Sequence, residues 1–331
     1  MKRLNVIVLV IAMVLGAAAL SGCGKKDAET AGTAGTIRVV LDWTPNTNHT
    51  GLYAALEKGY FAEAGIGVEI MQPPEDGALL LLAAGSAEFA VDFQESMAPA
   101  LAREDPLPVI AVAAIVSHNT SGIMSLAEAG IARPRDLEQK RCASWETPLV
   151  RAVIRNIVEG DGGDFSKVTM IPNFATDAFS ALETDVDAIW IYYGWDGVAA
   201  ELRGTAVNYL DLGRVNPRFD FYTPVLAANI NYAEKNPETV KLFLKAVSRG
   251  YEFAIANPEE AAEILLKHAP ELDRALVTAS QKYLSARYRD GDLPWGRFDG
   301  GRWDSFYGWM FEEGLLERDI RGKGFTNDYL P

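Results

Sequence analysis

Thiols, histidines and catalytic signatures are what this 331-residue chain has least of. It has two cysteines, Cys23 and Cys142, and three histidines, His49, His118 and His268. Cys23 lies in an N-terminal segment expected to be removed or anchored, so Cys142 is the only thiol left in the folded part. That excludes an intramolecular disulfide and a thiolate metal cluster, and leaves Cys142 the role of a small buried apolar residue. Three scattered histidines exclude a histidine-rich metal site. The chain has no G-x-x-x-x-G-K-[ST] phosphate loop, no G-x-S-x-G elbow, no H-E-x-x-H and no C-x-x-C. Cations are in the minority: 31 Lys and Arg against 45 Asp and Glu give a formal charge of −14. Such a surface argues against nucleic acid and against polybasic docking to membranes.

What is present is apolar content of 49%, enough for a large core, and a length that suggests two domains. The first residues are distinctive. Lys2 and Arg3 precede an uncharged apolar run from Leu4 to Leu20, too short for a comfortable membrane span and followed by Leu20-Ser21-Gly22-Cys23. The run resembles a bacterial lipoprotein signal. That resemblance implies residues 1–22 as a cleaved signal peptide, Cys23 as the lipidated residue, and a position outside the cytoplasm. Residues 23–36 are small and polar, and read as a flexible tether.

The most informative segment is LDWTPNTNHTGLYAALEKGYFAEAG, Leu41 to Gly65. A β-branched strand at Ile37–Leu41 runs into turn formers, and then into apolar residues at helical spacing from Leu52 to Phe61. Asp42, Trp43, Asn46 and His49 therefore sit at the carboxyl end of a first strand, where open parallel sheets hold ligands. Asn48 or Thr50 is placed to cap the helix, whose free N–H groups then face the same spot.

Strand and helix patterns alternate from there. Strands are expected at 67–71, 87–93, 107–116, 123–126, 141–144, 167–172, 186–193 and 206–212, with helices at 77–84, 148–159, 176–182 and 195–203. Thr147 and Pro148 make a good helix start as N-cap and first residue. Residues 214–223 read as irregular, 224–230 as apolar, and the remainder as helical, introduced by Asn236-Pro237 and Asn257-Pro258 and packed back on the first domain. The polar interruption at 117–122 reads as a hinge, with a second crossing near 213–225. The expected division is 37–120 with 224–331 as lobe I, and 121–223 as lobe II. Two crossings between lobes are the arrangement of a closing binding protein.

The lipoprotein signal, the tether, L-D-W-x-P-N-x-x-H-x-G-L-Y-x-A-x-x-K-G-Y-F, the V-D-F strand, the S-G hinge and the V-D-A-I-W strand together resemble the solute-binding lipoproteins of ABC importers. These belong to the type II periplasmic-binding superfamily, and the similar branch includes thiamine-pyrimidine-precursor binding proteins and the fungal thiamine pyrimidine synthase. The resemblance implies an α/β, two-lobed type II periplasmic-binding fold, each lobe a mostly parallel sheet flanked by helices. It implies a receptor for a small planar heterocycle, foremost a formylaminopyrimidine, acting as a monomer with an ABC permease and its ATPase and needing no cofactor. Related branches take riboflavin, sulfonates, taurine or nitrate. The synthase relatives use a histidine at the place of His49, a lysine that holds pyridoxal phosphate and a cysteine-rich iron motif; this chain has no such cysteine cluster.

The resemblance puts Asp42, Trp43 and the segment Trp190 to Asp196 at the pocket. By its chemistry Asp42 is suited to accept paired N–H bonds from an aminopyrimidine edge, and Glu146 is the rival acid, or else only favours a helix N-terminus. Trp43, Trp145, Tyr192, Tyr193 and Trp195 stand at strand ends on both lobes, with Trp43, Tyr192 and Trp195 favoured for stacking and Trp190 read as core. His49 is either a donor to the ligand or a helix-start residue, and His118 is structural. Asn46, Phe93, Glu95, Ser121 and Tyr222 complete the candidate ligand contacts, and Trp295, Trp303, Tyr307 and Trp309 are read as core.

Overall fold

The computed structural model describes residues 35–331 apart from Asp76, Glu146 and residues 173–176. The expected signal peptide, the expected tether up to residue 34, Cys23 and Glu146 lie outside the described residues. From residue 34 onward the chain is one compact unit.

In chain order, lobe I begins with β1 (Ile37–Val40), α1 (Thr50–Glu57), α2 (Tyr60–Glu63), β2 (Val68–Met71), α3 (Ala78–Ala83), β3 (Phe89–Asp92), α4 (Gln94–Leu101) and β4 (Val109–Ala114). Lobe II follows with β5 (Ser121–Leu126), β6 (Arg141–Ser144), α5 (Pro148–Gly160), β7 (Thr169–Pro172), α6 (Ala178–Thr184), β8 (Ala188–Tyr192), α7 (Val198–Arg203), β9 (Val207–Asp211) and α8 (Leu212–Val215). The chain then returns through β10 (Val225–Asn229) and α9 (Ile230–Lys235) to α10 (Pro237–Ala256), α11 (Pro258–His268), α12 (Arg274–Ser285) and α13 (Gly300–Glu312).

Each lobe has a five-stranded sheet, in the orders β2-β1-β3-β10-β4 and β7-β6-β8-β5-β9. In the first, β1 is parallel to β2 and β3 while β10 is antiparallel to β3 and β4; in the second, β6 is parallel to β7 and β8 while β5 is antiparallel to β8 and β9. The sheets are thus mostly parallel with one reversed strand each. The reversed strand is the one that has just crossed from the other lobe. It lies between two neighbours, starts at the end of its sheet nearest the crossing and runs away from it, whereas the βα units run toward it. The carboxyl ends of β1, β3, β6 and β8 therefore converge on the space between the lobes.

Burial explains the placement of the tail. Ile37, Val39, Phe89, Val112 and Leu226 on one face of the first sheet pack against Leu52 of α1, Phe243 and Val247 of α10 and Leu265 of α11. Ala90, Ala111 and Ala227 turn to the opposite face, where Trp303, Phe306 and Tyr307 of α13 belong to the same core. Removing these side chains from water is the main stabilising term for both layers. Trp295, Trp303, Tyr307 and Trp309 are buried. Cys142 is also fully buried, and burial pushes its thiol up to about 12.

Two local expectations differ from the structure. The helix expected over 52–61 divides at Lys58-Gly59, because Gly59 takes φ +73°, a left-handed conformation that ends α1. The cap is neither Asn48 nor Thr50: Asn46 caps a single 3-10 turn at Thr47–His49 that leads into α1. Thr147 does cap α5, its hydroxyl accepting the Val150 N–H at 3.2 Å.

Candidate ligand cleft

A cavity of about 550 Å³ lies between the lobes, the size usual for a small-molecule site. Lobe I supplies the loop after β1 (Asp42, Trp43, Asn46) and the start of α4 (Phe93, Glu95). Lobe II supplies the end of β6 (Ser144, Trp145), the last residues of β8 (Trp190, Ile191, Tyr192) and the turn after it (Trp195, Asp196). The crossing segments close the back with Thr120, Phe221 and Thr223, and Leu284 of α12 reaches in from the C-terminal region.

The loop after β1 is held rigidly. The Asn46 side chain accepts the Asn48 N–H at 2.9 Å, and the Asn46 N–H donates to Nδ1 of His49 at 3.1 Å. Since Nδ1 accepts, the proton of a neutral ring resides on Nε2, which is 2.5 Å from Asp42 Oδ1. The His49 side chain is fully buried and that of Asp42 is 6% exposed. One oxygen of Asp42 is thereby fixed by the imidazole while the residue forms part of the cavity wall. Beneath the loop, the Tyr288 hydroxyl donates to the Thr47 carbonyl at 2.5 Å, and Tyr251 donates to that of Asn48 at 2.7 Å. Ser280 pairs with Thr47 at 2.6 Å and also donates to the Gly194 carbonyl, so α12 ties the two walls of the cleft together.

The charged groups on the described wall are all acids: Asp42, Glu95 and Asp196. Burial pushes the Glu95 carboxyl up to about 8, with the charge of neighbouring Asp92 adding to the rise. Oε1 of Glu95 accepts from the Thr223 hydroxyl at 3.3 Å; Oε2 is shielded and has no hydrogen-bond partner. Asp92 and Asp196 are each raised to about 6, mainly by burial. The Tyr192 phenol, raised by its own burial and by Glu95, lies within hydrogen-bonding reach of that carboxyl from the opposite lobe.

Aromatic rings face the cavity from both sides. Trp43 on lobe I is 58% exposed and Trp145 on lobe II 39%, unusual values for tryptophan and the mark of rings without a protein partner on one face. Trp145 is 6.1 Å from Tyr192, tilted. Trp190, read as core, is buried yet forms part of the wall.

Of the candidate residues, Asp42, Trp43, Asn46, Phe93, Glu95, Trp145, Tyr192 and Trp195 line the cavity. Four do not. His49 stands behind Asp42. Ser121 is fully buried at the start of β5. Tyr193 turns away, donating to Glu201 at 2.6 Å and stacking on Tyr283 at 5.2 Å. Tyr222 is buried beneath the Arg302 guanidinium, its hydroxyl accepting the Asp299 N–H at 2.7 Å. His118 lies at the crossing, with Nδ1 2.7 Å from Asp220, which raises its pKa. Reading the sequence missed Thr120, Ser144, Phe221, Thr223 and Leu284. Leu284 carries no local signal, since only tertiary packing brings α12 to the cleft.

Two α/β lobes, crossed twice by the chain, with a ligand-sized cleft at the carboxyl ends of their strands, define a two-lobed type II periplasmic-binding fold. The chain belongs to the NMT1/THI5-like family, which it matches over residues 46–261. It is 30% identical over 330 residues to the formylaminopyrimidine-binding protein of Halalkalibacterium halodurans, covering 97% of both chains. It is 22% identical over 259 residues to a 4-amino-5-hydroxymethyl-2-methylpyrimidine phosphate synthase of Saccharomyces cerevisiae, covering 72% of this chain and 73% of that one. Among solved structures, the periplasmic aliphatic sulphonate binding protein SsuA of Escherichia coli superposes with a TM-score of 0.69 at 18% identity, covering 89% of this chain and 98% of the other. A likeness at that identity concerns the fold alone.

Proposed function

We propose that this chain is the extracytoplasmic receptor of an ABC importer, anchored through lipid on Cys23, and that it captures a small planar heterocycle with an amino-bearing edge, a formylaminopyrimidine. The observation that carries this reading is the wall chemistry: exposed aromatic faces on both lobes, and charged groups that are acids alone among the described residues. A flat ring between Trp43 and the lobe II aromatics gains roughly 0.5 to 1.5 kcal/mol per aromatic pair beyond burial and holds the lobes together. Carboxylates beside it accept ligand N–H groups. A sulfonate, taurine or nitrate would place its anion among acids with no guanidinium or ammonium among the described residues of the wall. The 30% identity to a formylaminopyrimidine-binding protein points the same way.

The reading is of a binding protein and not a catalyst. The synthase relative gives the alternative its footing, but a pyridoxal phosphate site needs a lysine for the imine and a partner for the phosphate, and the described wall has neither lysine nor arginine. The cofactor does not fit. His49 is fully buried with both ring nitrogens engaged, so it is not presented to the cleft.

Tryptophan fluorescence tests the reading. Formylaminopyrimidine should quench the emission saturably, and taurine and nitrate should leave it unchanged. Saturation by an anion with no response to the pyrimidine would overturn it, and a response to riboflavin alone would transfer the site to a flavin.

A further inference from the structure

Among the described cleft acids, Glu95 has a shielded carboxyl oxygen without a hydrogen-bond partner. It sits at the first turn of α4, with Oε1 bonded to Thr223 at 3.3 Å and Oε2 shielded and without a partner. An ionised carboxylate enclosed in that way is costly, since each unpaired buried oxygen forfeits its hydration. The titratable groups that bear on it include no cation. Asp92 at the end of β3 is anionic or acidic, Tyr192 of β8 is a phenol, and Tyr307 of α13 is a buried phenol that Glu95 and Asp92 themselves push up. Asp42, across the mouth of β3, adds a further negative charge to Asp92 and Tyr192. Burial, and after it the charge of Asp92, favour the proton-bearing form of the carboxyl, and hydrogen bonds from the local backbone, Thr223 and Tyr192 oppose it.

We propose that Glu95 recognises the ligand as a neutral carboxylic acid, donating its O–H to an aromatic ring nitrogen while its other oxygen accepts the N–H of the adjacent exocyclic amine. The inference rests on the aminopyrimidine reading of the cleft and gives that ligand edge a dedicated reader. The pairing is donor to acceptor and acceptor to donor, so it needs no charge on either side and no proton from solvent. Oε1 has a second lone pair for the amine after Thr223, and Oε2 supplies the O–H. A heterocycle with two carbonyl oxygens at that edge presents two acceptors and is rejected. Asp42 is left to accept a different N–H of the ligand.

The test is calorimetric titration of the whole protein with formylaminopyrimidine between pH 6.5 and 9.5, for the parent, Glu95→Gln and Glu95→Ala. With the acid losing its proton near pH 8, the parent should lose about 30-fold in affinity across that range. Gln has one N–H donor and one carbonyl acceptor, the pattern of the neutral acid. Glu95→Gln should therefore bind within about fivefold of the parent at pH 6.5 and show no loss toward pH 9.5, and Glu95→Ala should bind at least tenfold more weakly throughout. A parent whose affinity is constant with pH, or a Glu95→Gln protein about a hundredfold weaker at pH 6.5, would show that a carboxylate is required and overturn the inference. The parent profile alone decides if a variant fails to fold. A parent that binds no aminopyrimidine at any pH removes the functional reading itself, an outcome separable from a parent that binds without pH dependence.

Discussion

Under the proposed function the two oxygens of Asp42 have different tasks, and two substitutions separate them. Oδ1 accepts from Nε2 of a fully buried imidazole whose other nitrogen is committed to the Asn46 N–H. Asp42→Ala leaves that Nε2–H buried without an acceptor, which costs about 1 to 3 kcal/mol. For a chain of this size the melting temperature should drop by roughly 2 to 5 °C. Asp42→Asn keeps an oxygen for His49, so its melting temperature should stay within about 1 °C of the parent. The amide nitrogen then replaces the oxygen that faces the cavity, and a ligand N–H meets a donor where it had a charged acceptor. That loss is about 1.5 to 3 kcal/mol, or roughly ten- to a hundredfold in affinity. Scanning calorimetry reads the first effect and titration calorimetry the second. If Asp42→Asn melts as low as Asp42→Ala and binds formylaminopyrimidine as tightly as the parent, Asp42 serves the His49 contact alone and the cleft reading loses its principal acceptor.

Two further outcomes follow from packing and charge. Because Glu95 keeps its proton in the fold up to about 8 against an ordinary 4.5, the unfolded chain ionises first, so this group lowers stability progressively between those values. Glu95→Gln removes the effect, and its melting-temperature advantage over the parent should grow from pH 5 to pH 8.5; an advantage independent of pH would contradict the assignment. Gly250 lets α10 approach α1 so closely that a Cβ there would lie 2.0 Å from the Gly51 carbonyl oxygen. Gly250→Ala should therefore cost more than about 1 to 3 kcal/mol by forcing the helices apart, seen as a lowered denaturant midpoint, while an unchanged midpoint would mean that the helix pair yields freely.

The parts of the fold legible in the sequence were those written in local pattern. Alternating apolar strands and amphipathic helices gave two sheets, Thr147-Pro148 marked the start of α5, and the polar loop after Leu41 marked a strand end. The reversed strands β5 and β10 were not legible, because direction in a sheet depends on where the chain crosses, not on composition. At the cleft, residues immediately following strands β1, β3, β6 and β8 were found from sequence, since the ends of parallel strands share one edge. Residues whose position depends on distant partners were not. His49 and Asp42 are seven apart, and only the capping turn at Asn46 brings their side chains together. Tyr193 and Tyr192 are adjacent, yet Tyr192 ends β8 and lines the cavity while Tyr193 opens the helical turn after it and stacks on Tyr283. Tyr222 was read as a ligand contact, and α13, remote in sequence, covers it with Arg302.

Whether the cleft takes an amino-bearing planar ring and not an anion is decided by one calorimetric titration of the protein against formylaminopyrimidine, riboflavin, taurine and nitrate under identical conditions near pH 7. The expected result is one site per chain for the formylaminopyrimidine, with a negative heat-capacity change from burial of the aromatic faces, and no measurable heat for taurine or nitrate. Saturable binding of taurine or nitrate, with none of the pyrimidine, would contradict it.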